Sequence, residues 1–206
     1  MKSLEARLDH EVILYLSKVE NMPEVKALLR GTIYKEDYVR FLKIFYIIED
    51  ISQRVVKLAS EKTKEVNPYL SERFDVCAKG ELGHAEIALK DLEGLGIEAV
   101  DIADCPAAVQ YDILLQDCAL DFPLGILGHS YLFENASGTI FPKHRPLDFP
   151  SKFVEVHAKE DPGHSIAIKR TLRHIEKDLS AEDQVRMIGF ANKSGESLLK
   201  VFKSLS

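Results

Sequence analysis

Apolar residues recur along most of this chain at the three- and four-residue spacing of a helix face. Ser3 caps an expected helix running to about residue 21, where Met22-Pro23 stops it. A short segment over 24–29 ends at Gly31. The next helix spans about 34–62 and carries Tyr38, Phe41, Leu42, Phe45, Glu49, Ser52 and Val56 on one stripe. Asn67-Pro68 opens a long helix to about residue 95, closed by Gly94 and Gly96. A connector over 97–105 leads to a helix from Pro106 to about residue 137, bent near Pro123 and Gly125. Three prolines make 138–150 a loop. A helix over about 151–178 follows, and Ser180 caps the last one. No Asn-Gly hairpin signal, internal repeat or low-complexity tract occurs. The pattern predicts an all-α bundle of about seven helices, folded as a single domain over 1–206.

Several of these stripes turn polar in the middle. An ionisable group buried without a partner costs roughly several kcal/mol, so a charge on a core stripe needs a reason. In the helix over 67–95 the stripe reads Leu70, Phe74, Cys77, Glu81, His84, Ala88, Leu92, with Glu81 and His84 at i, i+3. In the helix over 151–178 it reads Phe153, His157, Asp161, His164, Ile168, Leu172, and the three polar residues share one face. Glu134 follows Tyr131 by one turn and Leu127 by two, and Glu49 follows Phe45 by one turn and Leu42 by two. Its neighbour Asp50 lies with Lys43 and Arg54 on the outer side. Any one of these breaks alone reads as a satisfied core group or a cap. Four helices each placing a ligand-type residue mid-stripe point to a cation among them. Imidazoles and carboxylates without thiolate suit iron or manganese better than structural zinc. The expectation is a site for two metals.

Pro162-Gly163 falls inside this motif. It predicts a kinked or easily loosened segment, or a new helix with Asp161 as N-cap. Cys77 reads as a small buried hydrophobe; Tyr46, Tyr131 and Phe133 read as core that could line a cavity. His129, His144 and His174 show no partner pattern.

The formal net charge of −6 gives no reason to expect nucleic acid. Cys77, Cys105 and Cys118 form no CxxC and no disulfide framework, which fits reduced thiols in a cytoplasm. The charged N-terminus lacks a signal-peptide core. The longest quiet stretch, 122–133, falls short of the roughly 20 apolar residues that span a bilayer, so no membrane partner is expected.

The segments L4-E-A-R-L-D-H, L28-L-R-G31 and D37-Y-V-R-F-L-K-I-F-Y46 resemble the opening helices of heme oxygenases. The later motifs E81-L-G-H-A-E-I-A-L-K-D-L-E-G-L-G96, Y131-L-F-E-N-A-S-G138 and H157-A-K-E-D-P-G-H164 resemble the heme-oxygenase-like diiron oxidases, also called iron-containing redox enzymes. The resemblance implies a seven-helix heme-oxygenase-like fold and two irons bound by Glu81, His84, Glu134, His157, Asp161 and His164. Glu49 would be an additional carboxylate. It also implies dioxygen activation to oxidise a small organic molecule, with a homodimer compatible with the fold. Three other functions compete. Heme binding would use His10, but the segment S137-G-T-I lacks the paired glycines that let a distal helix approach the ring. Cofactor-free hydrolysis of the thiaminase II kind would use Cys118 as nucleophile. A non-catalytic helical binding protein would keep only a vestigial metal site.

Overall fold

The computed structural model describes residues 3–97 and 101–204. Nine α-helices lie among them: α1 (Leu4–Val19), α2 (Pro23–Arg30), α3 (Lys35–Thr63), α4 (Pro68–Gly80), α5 (His84–Gly94), α6 (Pro106–Asp121), α7 (Pro123–Ile140), α8 (Lys152–Ile175) and α9 (Ala181–Ser204). No strand occurs among the described residues, and none of their helices is long and apolar enough to cross a membrane.

Local chemistry sets most boundaries. The Ser3 hydroxyl accepts from the Ala6 N–H at 3.2 Å, and the Asn67 side chain accepts from the Leu70 N–H at 3.0 Å. Pro23, Pro68, Pro106 and Pro123 each occupy a first turn, where a missing N–H costs nothing. Ser180 caps α9 through the Asp183 N–H. The expected connector holds a single 3₁₀ turn at Ile102–Asp104, and residues 98–100 lie outside the described residues.

Two expected helices are each divided, which turns about seven into nine. Gly83 adopts φ +96, a conformation open to glycine, so the helix from Pro68 ends at Gly80 and a new one begins at His84. Phe122 precedes Pro123 and leaves the helical region (φ −151, ψ 70), which separates α6 from α7. The expectation at Pro162 is corrected in the other direction. No new helix starts at Asp161, because α8 runs unbroken from Lys152 to Ile175 with Pro162 inside it.

Two apolar cores stack along the bundle. The larger joins α1, α3, α4, α6, α7, α8 and α9 through residues such as Ile48, Ile51, Leu70, Tyr111, Ile126, Leu172 and Leu198. The smaller is aromatic, with Phe41, Phe45, Phe141 and Phe153 in mutual contact at 4.5–6.3 Å between ring centroids. Burying each such ring stabilises the fold by about 1.5–3 kcal/mol. α3 is the spine of both: Phe45 belongs to the aromatic core, Ile48 and Ile51 to the larger, and Glu49 lies between them on the same helix.

Candidate metal centre

Four positions of the bundle deliver the polar layer. Glu49 comes from the middle of α3, Glu81 and His84 flank the break between α4 and α5, Glu134 comes from α7, and His157, Asp161 and His164 come from α8. The break changes how Glu81 and His84 are presented. They do not share a continuous helix; Glu81 is the residue after α4 and His84 is the first of α5. The turn nonetheless brings Glu81 Oε2 to 3.0 Å from His84 Nδ1.

All seven predicted residues converge, six of them as two triplets. Glu49, His84 and His157 form an inner triplet, and Glu81, Glu134 and His164 an outer one. Within each, one potential ligand atom per residue lies within 4.8 Å of the others. Asp161 belongs to neither, and sits on α8 between His157 and His164. The inner residues are sealed, with Glu49, His84 and His157 exposed by 2, 4 and 3 % and Asp161 by 2 %. The outer residues are half-buried.

Hydrogen bonding decides which atoms are left for a ligand. His157 Nδ1 donates to the Phe153 carbonyl at 2.8 Å, which leaves Nε2, 3.5 Å from Glu49 Oε1, as the ring nitrogen open to a ligand once it gives up its proton. Phe153 itself donates its N–H to Asp91 Oδ2, tying the start of α8 to α5. On His84, Nε2 lies 3.6 Å from Glu160 Oε2, a carboxylate beside the outer ring edge. Buried polar atoms almost always find partners. Here Glu49 Oε1, His157 Nε2 and Asp161 Oδ2 make no hydrogen bond, and His84 Nδ1 meets only the Glu81 carboxylate, without a hydrogen bond of good geometry; all four lie in this cluster.

Charge follows the same arrangement. Burial opposes protonation of His157, but Glu49 and Asp161 outweigh it and raise the imidazole to about 9. His164 is also raised to about 9, chiefly by its contact with Glu134 at 3.5 Å. Burial lifts Asp161 to about 6 and holds Glu134 well above the carboxylate range, while the surrounding imidazoles overcome burial and lower Glu81. The cluster is thus a set of carboxylates and imidazoles competing for too few protons. A divalent cation held among these groups would take the place of those protons.

α7 and α8 come unusually close beside the cluster. A Cβ at Gly138 would lie 2.8 Å from Ser165 Oγ and 3.2 Å from the Asp161 carbonyl. Ser165 in turn donates to the Glu134 carbonyl at 2.7 Å. A cavity of about 170 Å³ opens from the outer triplet. Glu49, Glu81, Glu134 and His164 line one end, and Val55, Val76, Ile126 and Ile168 form part of its walls. Phe133 lines it too, whereas Tyr131 is buried and donates to Asp9 Oδ1 at 2.7 Å.

The residues of the competing readings lie elsewhere. His10 is exposed on the outer side of α1. Cys118 is buried, bonded to the Phe122 carbonyl, absent from the cavity wall and pushed up to about 12 by burial. Cys77 does line the cavity, and burial with Glu134 and Glu81 raises it to about 11. Three histidines without a pattern in the sequence have partners: His129 bridges Tyr111 and Ser194, His144 meets the Phe141 carbonyl, and His174 stacks on Tyr69. Neither Glu160 nor the His129 bridge was signalled by stripe position.

No family model matches this chain, and no curated protein matches it. Solved structures do. A TenA homologue from Pyrococcus furiosus superposes with a TM-score of 0.83 at 16% identity, over 98% of this chain and 100% of that one. A domain of unknown function with a heme oxygenase-like fold from Shewanella denitrificans gives 0.76 at 18% identity, over 97% and 90%. Heme oxygenase-1 from Synechocystis, in complex with heme, gives 0.65 at 16% identity, over 100% and 93%. At these identities the likeness speaks to architecture: this chain has the all-α heme-oxygenase-like fold.

Proposed function

We propose that this chain is a nonheme diiron oxidase acting with dioxygen on a small organic molecule. The observation that carries the reading is the set of buried atoms without a hydrogen bond, Glu49 Oε1, His157 Nε2 and Asp161 Oδ2, together with His84 Nδ1, which meets only the Glu81 carboxylate, gathered in one polar layer between two apolar cores. Glu49, His84 and His157 would hold one ion, and Glu81, Glu134 and His164 the other, with Asp161 available between them. Iron suits this thiolate-free donor set, and manganese is the next best match. Two ferrous ions would supply the binding and reduction of dioxygen.

The chain's own residues do the rest. The Phe153 carbonyl holds the His157 ring so that Nε2 points inward. The aromatic core behind His157, with Phe153 at 4.0 Å between ring centroids, keeps water from that side. The cavity walls of valine and isoleucine orient an apolar substrate toward the end lined by Glu134 and His164.

The overlap with TenA homologues favours a second reading, a cofactor-free hydrolase of the thiaminase II kind. Its expected nucleophile, Cys118, lies outside that cavity, in a separate open pocket lined also by Asp117 and Asp121, and its thiol donates to the Phe122 carbonyl. One experiment separates the two readings. Reductant-dependent oxygen consumption is measured on ferrous-loaded protein, and again after exhaustive chelation, alongside hydrolysis of thiamine and its aminopyrimidine fragments. The oxidase reading predicts oxygen consumption that disappears on chelation and no hydrolysis. Hydrolysis that survives chelation would overturn it. We further expect a cytoplasmic protein, and a homodimer is compatible with the fold.

A further inference from the structure

The cavity has two chemically distinct ends. One is the metal-ligand end already described. The other is marked by Arg73 on α4, the one arginine or lysine lining the cavity among the described residues. Helix geometry gives the separation. Glu81, the residue that caps the end of α4, follows Arg73 by eight, Glu134 follows Ile126 by eight on α7, and Val56 follows Glu49 by seven on α3, all of them cavity-lining. At the rise of an α-helix these offsets each correspond to about 10–12 Å. Three helices therefore agree that the cavity runs along the bundle axis, with Arg73 at the end remote from the carboxylates.

Arg73 is held ready for a partner. Its Nε donates to Thr171 Oγ1 at 3.3 Å, which anchors the half-buried side chain to α8, and among the described residues no ion pair joins it to a carboxylate. Arg54 and Arg173, by contrast, are both paired with acidic residues. A second observation points into the same space. Ser52, one turn beyond Glu49 on α3, lines the cavity, and its hydroxyl is buried with no hydrogen-bond partner. The rest of the lining is largely apolar, with Val55, Val76, Leu115 and Ile168 among it, and also includes Cys77, His129 and Ser130.

We infer that the cavity takes a monocarboxylate with an apolar body, its carboxylate paired with the Arg73 guanidinium and its opposite end presented to the metal ligands. A single planar guanidinium fits one carboxylate, and a site walled by aliphatic side chains rejects a more polar body. The orientation is the substance of the inference: the anionic group is the handle, kept away from the metals. This inference rests on the oxidase reading for the identity of the far end, while the carboxylate site itself is tested without iron.

The probes are 4-phenylbutyrate and its uncharged amide, titrated calorimetrically into the full chain, metal-free and zinc-loaded. The carboxylate should bind at least roughly tenfold tighter than the amide in both forms, as expected for a charge-assisted hydrogen bond. Arg73→Met, which keeps the aliphatic stem, should abolish that preference while leaving amide binding within about twofold. Arg73→Lys should retain part of it, which separates loss of charge from loss of packing. Equal binding of the two probes, or a preference that survives Arg73→Met, overturns the proposal. A preference that appears only with zinc and ignores Arg73 overturns it as well, since the carboxylate then sits on the metal; the oxidase reading would stand. An Arg73-dependent preference in a chain that takes up no iron would leave the carboxylate site intact and remove the oxidase reading.

Discussion

Two buried histidines on neighbouring helices end in opposite chemical states. His129 on α7 has both ring nitrogens satisfied. Ser194 Oγ donates to the Ala191 carbonyl, so it accepts from His129 Nδ1–H at 3.1 Å, and Nε2 then accepts from the Tyr111 hydroxyl at 3.1 Å. Burial without a charged partner holds this ring down to about 4. His157 on α8 has only Nδ1 satisfied, and its other nitrogen faces Glu49 with no hydrogen bond. Depth does not distinguish them, as both are 3 % exposed. What separates a core histidine from a ligand is the nitrogen left over.

That contrast can be broken in several ways. The largest effect should come from the ion itself. Zinc or ferrous ion at a thousandfold above its Kd should stabilise the fold by about 4 kcal/mol. His157→Ala should remove the inner ion's share of that gain, read as a lost thermal shift, whereas His129→Gln should keep it. If His157→Ala responds to metal as wild type does, the contrast fails.

The next effect is the part of the pH dependence that His129 contributes. The unfolded chain protonates this residue near 6.5 and the folded chain only near 4. Its contribution is therefore fully present above 6.5 and falls as the pH drops toward 4, by roughly 3 kcal/mol in total. Urea unfolding of the metal-free protein between pH 7 and 4 should show a shallower decline in His129→Gln than in wild type. Equal slopes would mean that the ring is not held neutral.

Packing around the cluster gives a smaller effect. Gly138→Val places carbon against Ser165 and the Asp161 carbonyl, and should destabilise the fold by about 1–3 kcal/mol by forcing α7 from α8. Denaturant midpoints measure this, and an unchanged midpoint would mean that the two helices can separate freely there. The smallest effect is expected for His164→Ala on the metal-free chain. This half-buried residue should cost no more than about 0.5–1 kcal/mol when removed, yet the variant should lose the outer ion and retain the inner one. Loss of both ions together would show that the triplets do not bind independently.

Much of this architecture was legible in the sequence because helices report which face a residue occupies. Glu49, Glu81, His84, Glu134, His157, Asp161 and His164 all interrupt apolar stripes, and the fold gathers six of them into two triplets, with Asp161 close enough to feel the charges of Glu49, His157 and His164. Periodicity reports face and not depth, so the division into a sealed triplet and a half-open one was hidden. It also treated Glu81 and His84 as neighbours on one helix, because Gly83 matters only through its positive φ. Pro162 misled in the opposite sense: it argued for a helix start that the packing of α8 against α7 overrides. Glu160, Arg73 and the Tyr111–His129–Ser194 bridge were invisible for a different reason. Each acquires meaning only from a partner far away in the chain, on another helix.

The central claim is that the unpaired atoms of this polar layer exist to bind metal. Its most direct measurement is the iron content per chain after anaerobic reconstitution with ferrous ion and desalting, for wild type, Glu49→Ala and His157→Ala. The account predicts about two irons in wild type, as in bundle sites built from facing carboxylates and histidines, and loss of the inner iron in either variant. Wild-type protein that retains no iron, or variants that retain as much as wild type, would contradict it.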